Sequence, residues 1–379
     1  MKRSPKVALV HDWLTGTRGG EKVLLELVRM FPEAPVFTLF HFPGSQHPEI
    51  EAREIRTTFL QKLVSPARNY RTLFPLFFAA AETWDLSGFD LVISISTCVA
   101  KNAKKARGAF HLCYCNTPVR YLHDQFDEYF RARSAPVVAA ARLARAPLAA
   151  WDVSTVPRVD AFLANSENVR DRIARLYRRE AGVVPPPVDT GFYTPGAGAE
   201  RHGLLIVSAL APYKRLDDAI AAANARRIPL TIAGFGPERR RLEALAGETV
   251  VFADTPNDTM LRELYRSAEA VLMPGEEDFG IVPLEAQACG TPVIALGRGG
   301  ALETVRDGET GVLTPEPGPD ALLAALDRLR SLRLDPAAAA ANAARFSREA
   351  FRAGFRSALE IARARADGSD GKIGGPVTA

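Results

Sequence analysis

Residues 270–295 read AVLMPGEEDFGIVPLEAQACGTPVIA and hold a passage from strand to helix to strand. AVLM is a short apolar run of the kind buried in a parallel sheet, and Pro274 with Gly275 releases the chain into a loop. Pro283 suits the first position of a helix, where its missing N–H costs nothing, so Glu285 falls in the first turn. Gly290 is placed to end that helix after about two turns, and Pro292 confirms the stop before the next strand. Strand, helix and strand in succession imply a parallel sheet, whose ligands sit beyond the carboxyl ends of the strands. The loop after AVLM is therefore where chemistry is expected. It places Glu277 and Glu285 on either side of an apolar stretch, as an acid/base pair, as a clamp on a ligand, or as plain helix capping. For Glu285 alone, complementing the helix dipole is the ordinary reading. The clamp draws support from the amides of Phe279, Gly280, Ile281 and Val282, because free N–H groups at a helix start attract anions. Gly280 lets a ligand approach the backbone.

The same alternation runs outward in both directions. KVALVHDW, VFTLF, DLVISIS, FHLCYC and DAFLANS are strand-like runs in the first half. GLLIVSA, PLTIAGFG, TVVFAD and GVLTP are their counterparts in the second, with helical stretches between them. Between them VVPPPVDTGFYTP (183–195) holds four prolines and no helical period, which reads as a connection between domains. The expected class is α/β, with two facing Rossmann-like domains and an interdomain cleft. Their bounds are 1–190 and 196–345, followed by a C-terminal helix over 346–366 packing back on the first domain and a disordered tail over 367–379.

At 379 residues the chain exceeds one ordinary core, which agrees with two domains. The net charge of +4 suits anionic ligands or a membrane surface, and the scattered arginines carry no nucleic-acid signature. Cys98, Cys113, Cys115 and Cys289 lack a second pair at zinc spacing, so buried thiols in a reducing compartment are expected, and no metal site. MKRSPKVALVHDW has too short an apolar run for a signal peptide. No window reaches the ~18 apolar residues of a spanning helix. The expected location is cytoplasmic. Residues 59–78 and 130–151 mix Arg and Lys with Phe, Leu and Val, a pattern that fits peripheral contact with an anionic membrane as well as it fits ordinary packing.

The acids of EDFGIVPLE, eight positions apart, resemble the E-x7-E signature of retaining family-4 (group 1) glycosyltransferases of the GT-B fold. HDWLTGTRGGEKVL, ANSENVRDRI, PPPVD, VSALAPYKRLD, AGFGPE and GRGGALETVRDGETGVL match in the same order, so the resemblance covers residues 5–365. It implies a sugar-nucleotide donor, no cofactor and no metal. Glu277 would meet hydroxyls of the transferred sugar and Glu285 the ribose. The amides from Phe279 to Val282 would hold sugar and diphosphate, and Lys214 would neutralise the departing diphosphate. Gly19 and Gly20 match the first domain's glycines that close over the phosphates, and Gly234 of AGFGPE falls in the donor-binding set. GTRGGEK is not a Walker motif, because Glu21 stands where a P-loop needs Gly.

Two positions depart from the pattern. Ala209 stands where an Arg is expected, and Arg215 or Arg18 is the candidate substitute for its charge. Asn116 stands in CYCNTPVRY where close relatives carry a His that meets the sugar near the reaction centre; an amide keeps hydrogen bonds but takes up no proton. Arg120 in the same run is a candidate for acceptor or phosphate contact. The expected activity is retaining, metal-independent transfer of a hexose, with mannose from GDP-mannose favoured, to a glycan or lipid-linked acceptor of a cell-surface polysaccharide. Asn116, Lys214 and Glu277 are the expected catalytic set. The alternative is a catalytically weakened subunit that binds a sugar nucleotide or glycan; an epimerase on the same fold would need acid and His sets that are not apparent here.

Overall fold

A computed structural model describes residues 5–65, 70–130, 134–196, 200–254, 257–366 and 368. Its residues divide into two compact units. The first comprises the described residues up to 126, 134–187 and those from 349 onward; the second comprises 127–130 and 188–348.

In the first unit the strands are β1 (Val7–His11), β2 (Val36–Thr38), β3 (Ile55–Thr57), β4 (Leu91–Ser96), β5 (Phe110–Cys115), β6 (Ala161–Ala164) and β7 (Ala181–Val183). They lie in the order β3-β2-β1-β4-β5-β6-β7 with every pairing parallel. Helices cover both faces. Ala8 and Val10 of β1 join one apolar cluster with Phe77 and Trp84, whereas Leu9 joins another with Leu24, Leu27 and Phe355. Two-sided burial is why these strands read as continuous apolar runs rather than alternating ones.

The second unit repeats the plan with β8 (Leu204–Val207), β9 (Leu230–Ala233), β10 (Val250–Ala253), β11 (Ala270–Met273), β12 (Val293–Leu296) and β13 (Gly311–Thr314). Its order is β10-β9-β8-β11-β12-β13, again parallel throughout. Leu204 and Ile206 face one cluster and Leu205 the other. In both sheets the order reverses beside the first strand, between β1 and β4 and between β8 and β11. Such switch points leave a crevice at the carboxyl ends because the flanking connections leave in opposite directions.

The proline-rich connection begins later than its sequence suggests. Val183 pairs within β7 and the Val184 N–H donates to the Ala164 carbonyl at 2.9 Å, so the sheet of the first unit continues into it. The helix Arg348–Ala366 starts where the second unit ends and packs on the first. Phe351 and Phe355 are buried among Val23, Leu24, Leu27 and Tyr114. Arg352 donates through Nε to Glu26 Oε2 at 2.6 Å, and Arg29 meets Oε1 of the same buried carboxylate at 2.6 Å. The predicted tail beyond this helix lies, Gly368 apart, outside the described residues, as do 66–69 and 131–133 of the two basic and apolar segments. Among the described residues no helix is long and apolar enough to cross a membrane. All four cysteines are buried thiols.

His111 on β5 is fully enclosed, its Nε2 2.8 Å from Ser94 Oγ and its Nδ1 3.2 Å from the Arg158 carbonyl. Burial pushes its imidazole down from the ordinary 6.5 to about 4. Between those values the unfolded chain binds a proton that the folded chain refuses, so this group erodes stability as pH falls below 6.5. The urea midpoint should drop from pH 7 to pH 5, and drop less in His111→Gln; equal losses in the two proteins would contradict this. Phe355→Ala should cost about 3–5 kcal/mol, the usual range for emptying a buried aromatic site. Urea titration of an isolated tryptophan signal in the first unit reads it, and a loss under about 1 kcal/mol would mean the helix is not part of that core.

Candidate active site

The second unit gathers its polar groups at the β8/β11 switch point. After β8 the backbone of Ser208–Ala211 leads into a single 3₁₀ turn, Pro212–Lys214. Three glycines let neighbouring loops press against this segment. A Cβ on Gly234 would sit 1.9 Å from the Ser208 carbonyl oxygen, one on Gly236 2.3 Å from that of Leu210, and one on Gly275 2.5 Å from that of Tyr213. No side chain fits at those separations, so β9, β11 and the turn close to backbone contact. Gly234 is thus a packing requirement of the site, at φ +144°.

That closeness sets Lys214 beside Glu277. Lys214 Nζ forms an ion pair with Glu277 Oε1, both side chains remaining partly exposed. The Lys214 ammonium also lies 5.1 Å from the centre of the Tyr213 ring. Glu277 is fixed from behind: its carbonyl accepts from the Gly300 N–H at 2.9 Å, and Gly300 packs so tightly on Phe279 that a Cβ would lie 2.3 Å from its Cα. Ala209 places no charge here. Arg215 adopts the left-handed conformation (φ +53°) and donates through Nε to Asp218 Oδ2 at 2.7 Å, within its own helix start.

The helix after Glu277 begins earlier than the proline implies. It spans Ile281–Ala288 with Gly280, at φ +91°, as its N-cap, so Pro283 is the third helical residue and Glu285 the fifth. The expectation of Pro283 first and Glu285 in the first turn is therefore corrected. Gly280 alone tolerates the left-handed bend that starts the helix there, and proline is equally harmless at the third position because first-turn N–H groups have no intrahelical acceptor. The amides of Ile281 and Val282 belong to that turn. The Phe279 ring is buried with Val188, Leu284 and Phe346, so only its backbone is available to a ligand. Glu285 points inward, 2% exposed, and its Oε2 accepts from the Tyr265 hydroxyl at 2.9 Å. Tyr265 carries no sequence signal beyond an apolar helical period.

In the first unit the corresponding switch point is organised by Asp12, which follows β1 and is 2% exposed. Its carboxylate accepts from four successive backbone amides: Thr97 at 2.6 Å, Cys98 at 2.9 Å, Val99 and Ala100 at 2.7 Å. Gly19 and Gly20 open the helix Gly19–Met30, with Arg18 as N-cap and its N–H donating to Glu21 Oε2 at 3.0 Å. Burial raises the Glu21 carboxyl to about 7 and lowers His11 to about 4. A Cβ on Gly20 would lie 3.2 Å from Asn116 Nδ2 and 3.3 Å from His11 Nε2, so these three residues meet. Arg120 turns inward, 6% exposed, with Nη1 3.4 Å from Gln125 Oε1. His123 donates through Nε2 to Asp152 Oδ2 at 2.9 Å in a buried network.

Each half of the sequence matches its own family description: residues 17–192 match Glycosyltransferase Family 4, and residues 196–346 match Glycosyl transferases group 1. A D-inositol 3-phosphate glycosyltransferase of Acidothermus cellulolyticus is 35% identical over 219 residues, 49% of this chain and 48% of that protein. Another, of Segniliparus rotundus, is 33% identical over 245 residues, 54% of each. The chain thus spans about half the length of the curated relatives it matches. Sucrose-phosphate synthase of Thermosynechococcus elongatus aligns with a TM-score of 0.70 at 18% identity, covering 96% of this chain and all of that one. HepE of Anabaena in complex with UDP aligns at 0.67 and 17% identity, covering 94% of this chain and all of HepE. With both halves matched and two parallel Rossmann-like sheets aligning with these structures, the chain belongs to the group 1 glycosyltransferases and has the GT-B fold.

Proposed function

We propose that this protein transfers a hexosyl group from a sugar nucleotide to a hydroxyl acceptor. The observation that carries the reading is the Lys214–Glu277 pair beside the helix start at residue 281, at the switch point of the second sheet. Departure of a nucleoside diphosphate develops negative charge on phosphate. Lys214 and the first-turn amides of Ile281 and Val282 answer that charge from fixed positions, which is where preorganised electrostatics contribute most. With Lys214 on the diphosphate, the Glu277 carboxylate is released to accept hydrogen bonds from sugar hydroxyls. Glu285, oriented by Tyr265, takes the ribose. Gly19 and Gly20 let the backbone approach the phosphates. A lysine and amides in this role make the reaction independent of a metal ion.

Retention follows if the leaving phosphate itself takes the acceptor's proton on the face it vacates. Asn116 donates or accepts a hydrogen bond near the reacting carbon, and the acceptor is received by the first unit. Mannose from GDP-mannose is the donor favoured by the family resemblance; HepE, crystallised with UDP and with UDP-glucose, makes a uridine donor the first competitor. A lipid-linked glycan acceptor, delivered at the cytosolic face of a membrane, fits the exposed Phe59, Leu63 and Leu143 near basic residues. The named relatives favour a phosphorylated cyclitol as the competing acceptor. A weakened binding subunit is the second reading, and it is Asn116 that favours it.

Incubation with GDP-mannose and UDP-glucose, with and without lipid-linked or inositol phosphate acceptor, should release nucleoside diphosphate with one donor. EDTA should leave the rate unchanged. Binding of both donors without turnover would replace the enzyme by the binding subunit. Lys214→Ala should weaken nucleoside diphosphate binding about 10- to 100-fold, the scale of one or two charge-assisted bonds. Glu277→Gln should bind the diphosphate at least as tightly as the native protein, having lost its competitor for Lys214, while losing transfer. Weaker diphosphate binding by Glu277→Gln would contradict the exchange of partners.

A further inference from the structure

Between residues 91 and 103 every side chain is buried except that of Thr97. The exposure is built into the backbone rather than left by a loose loop. Asp12 grips the amides of Thr97, Cys98, Val99 and Ala100 at 2.6–2.9 Å. A carboxylate offers about four lone-pair sites, so this one is filled by a single stretch of backbone. On the far side the Lys101 N–H donates to Ser96 Oγ at 3.2 Å. The buried Lys101 ammonium donates to Asn102 Oδ1 at 2.7 Å, to the Asp152 carbonyl at 2.6 Å and to Thr155 Oγ1 at 3.0 Å. Clamped at both ends, the loop presents one hydroxyl at the carboxyl edge of β4.

That hydroxyl meets Asn116. The Asn116 N–H continues the sheet by donating to the Ser96 carbonyl at 2.8 Å, and its carbonyl accepts from Asn165 Nδ2 at 3.0 Å. The backbone is therefore fixed on both sides, leaving the carboxamide as the part that can rotate. Its Nδ2 donates to Thr97 Oγ1 at 3.4 Å. Gly20 closes the third side, with Nδ2 3.2 Å from where its Cβ would be. An amide can be turned end for end at little cost in most surroundings, which exchanges a donor for an acceptor. The Thr97 hydroxyl, which both donates and accepts, pairs with either end, so what it holds is the rotamer of the side chain.

We propose that Thr97 is a positioning residue that holds the Asn116 side chain in its rotamer, and that Asp12 holds Thr97 in place through the backbone of residues 97–100. The proposal rests on Asn116 taking part in transfer. Thr97 acts through Asn116 and touches no substrate itself. Asp12 acts one step further back, where its loss loosens the loop without altering the hydroxyl.

The test is a double-mutant cycle with the donor that the turnover assay returns, read with a crystal structure of Thr97→Val. Thr97→Val should lower kcat about tenfold, the worth of one neutral hydrogen bond, and leave the donor KM unchanged. Thr97→Ser, which keeps the hydroxyl, should retain native kcat. In an Asn116→Ala background Thr97→Val should add nothing further, since coupled residues fail to add. The structure of Thr97→Val should show the Asn116 amide in a second rotamer. Asp12→Asn should speed hydrogen exchange at residues 97–100. An undiminished effect of Thr97→Val in the Asn116→Ala background, or an unmoved Asn116 in the crystal, overturns the role of Thr97. Unchanged exchange in Asp12→Asn overturns that of Asp12. If Asn116→Ala alone keeps native turnover, the role given to Asn116 fails instead, and the rotamer measurement still decides the contact.

Discussion

The switch point of the second sheet depends on backbone surfaces meeting without an intervening Cβ. Gly275 lets the end of β11 rest on the carbonyl of Tyr213, while Gly234 and Gly236 let the end of β9 rest on Ser208 and Leu210. A Cβ at any of these would meet the backbone of the 208–214 segment at 1.9–2.5 Å, so that segment, which carries Lys214, would have to shift. Gly300 plays the same part for Phe279 and the helix start. The charges that define the site are thus positioned by glycines that bear no chemistry.

In the ligand-free site Lys214 and Glu277 are paired with each other. Paired, they neutralise each other and await a ligand that offers a phosphate to one and hydroxyls to the other. A sugar diphosphate, the ligand proposed for this site, has both in one molecule.

Much of this was legible in the sequence, and the parts that were not share a cause. Both sheets could be read because two-sided burial writes each central strand as an unbroken apolar run. β3 and β7 could not, being three residues each and partly exposed. Lys214, Glu277 and Glu285 stood out because their motif spacing is local. Asp12, Thr97 and Tyr265 did not, because each acts on a residue far away in the chain: Asp12 on amides 85 to 88 positions later, Thr97 on Asn116, and Tyr265 on Glu285. The helix start at 281 was misjudged because Pro283 is a strong local signal, whereas the left-handed turn at Gly280 is set by the packing of Phe279 and Gly300.

The most direct measurement is a crystal structure with a nucleoside diphosphate bound. It should show Lys214 Nζ hydrogen-bonded to a phosphate oxygen, the Ile281 and Val282 amides directed at the same group, and Glu277 parted from Lys214. A diphosphate bound elsewhere, with Lys214 and Glu277 still paired, would contradict the account.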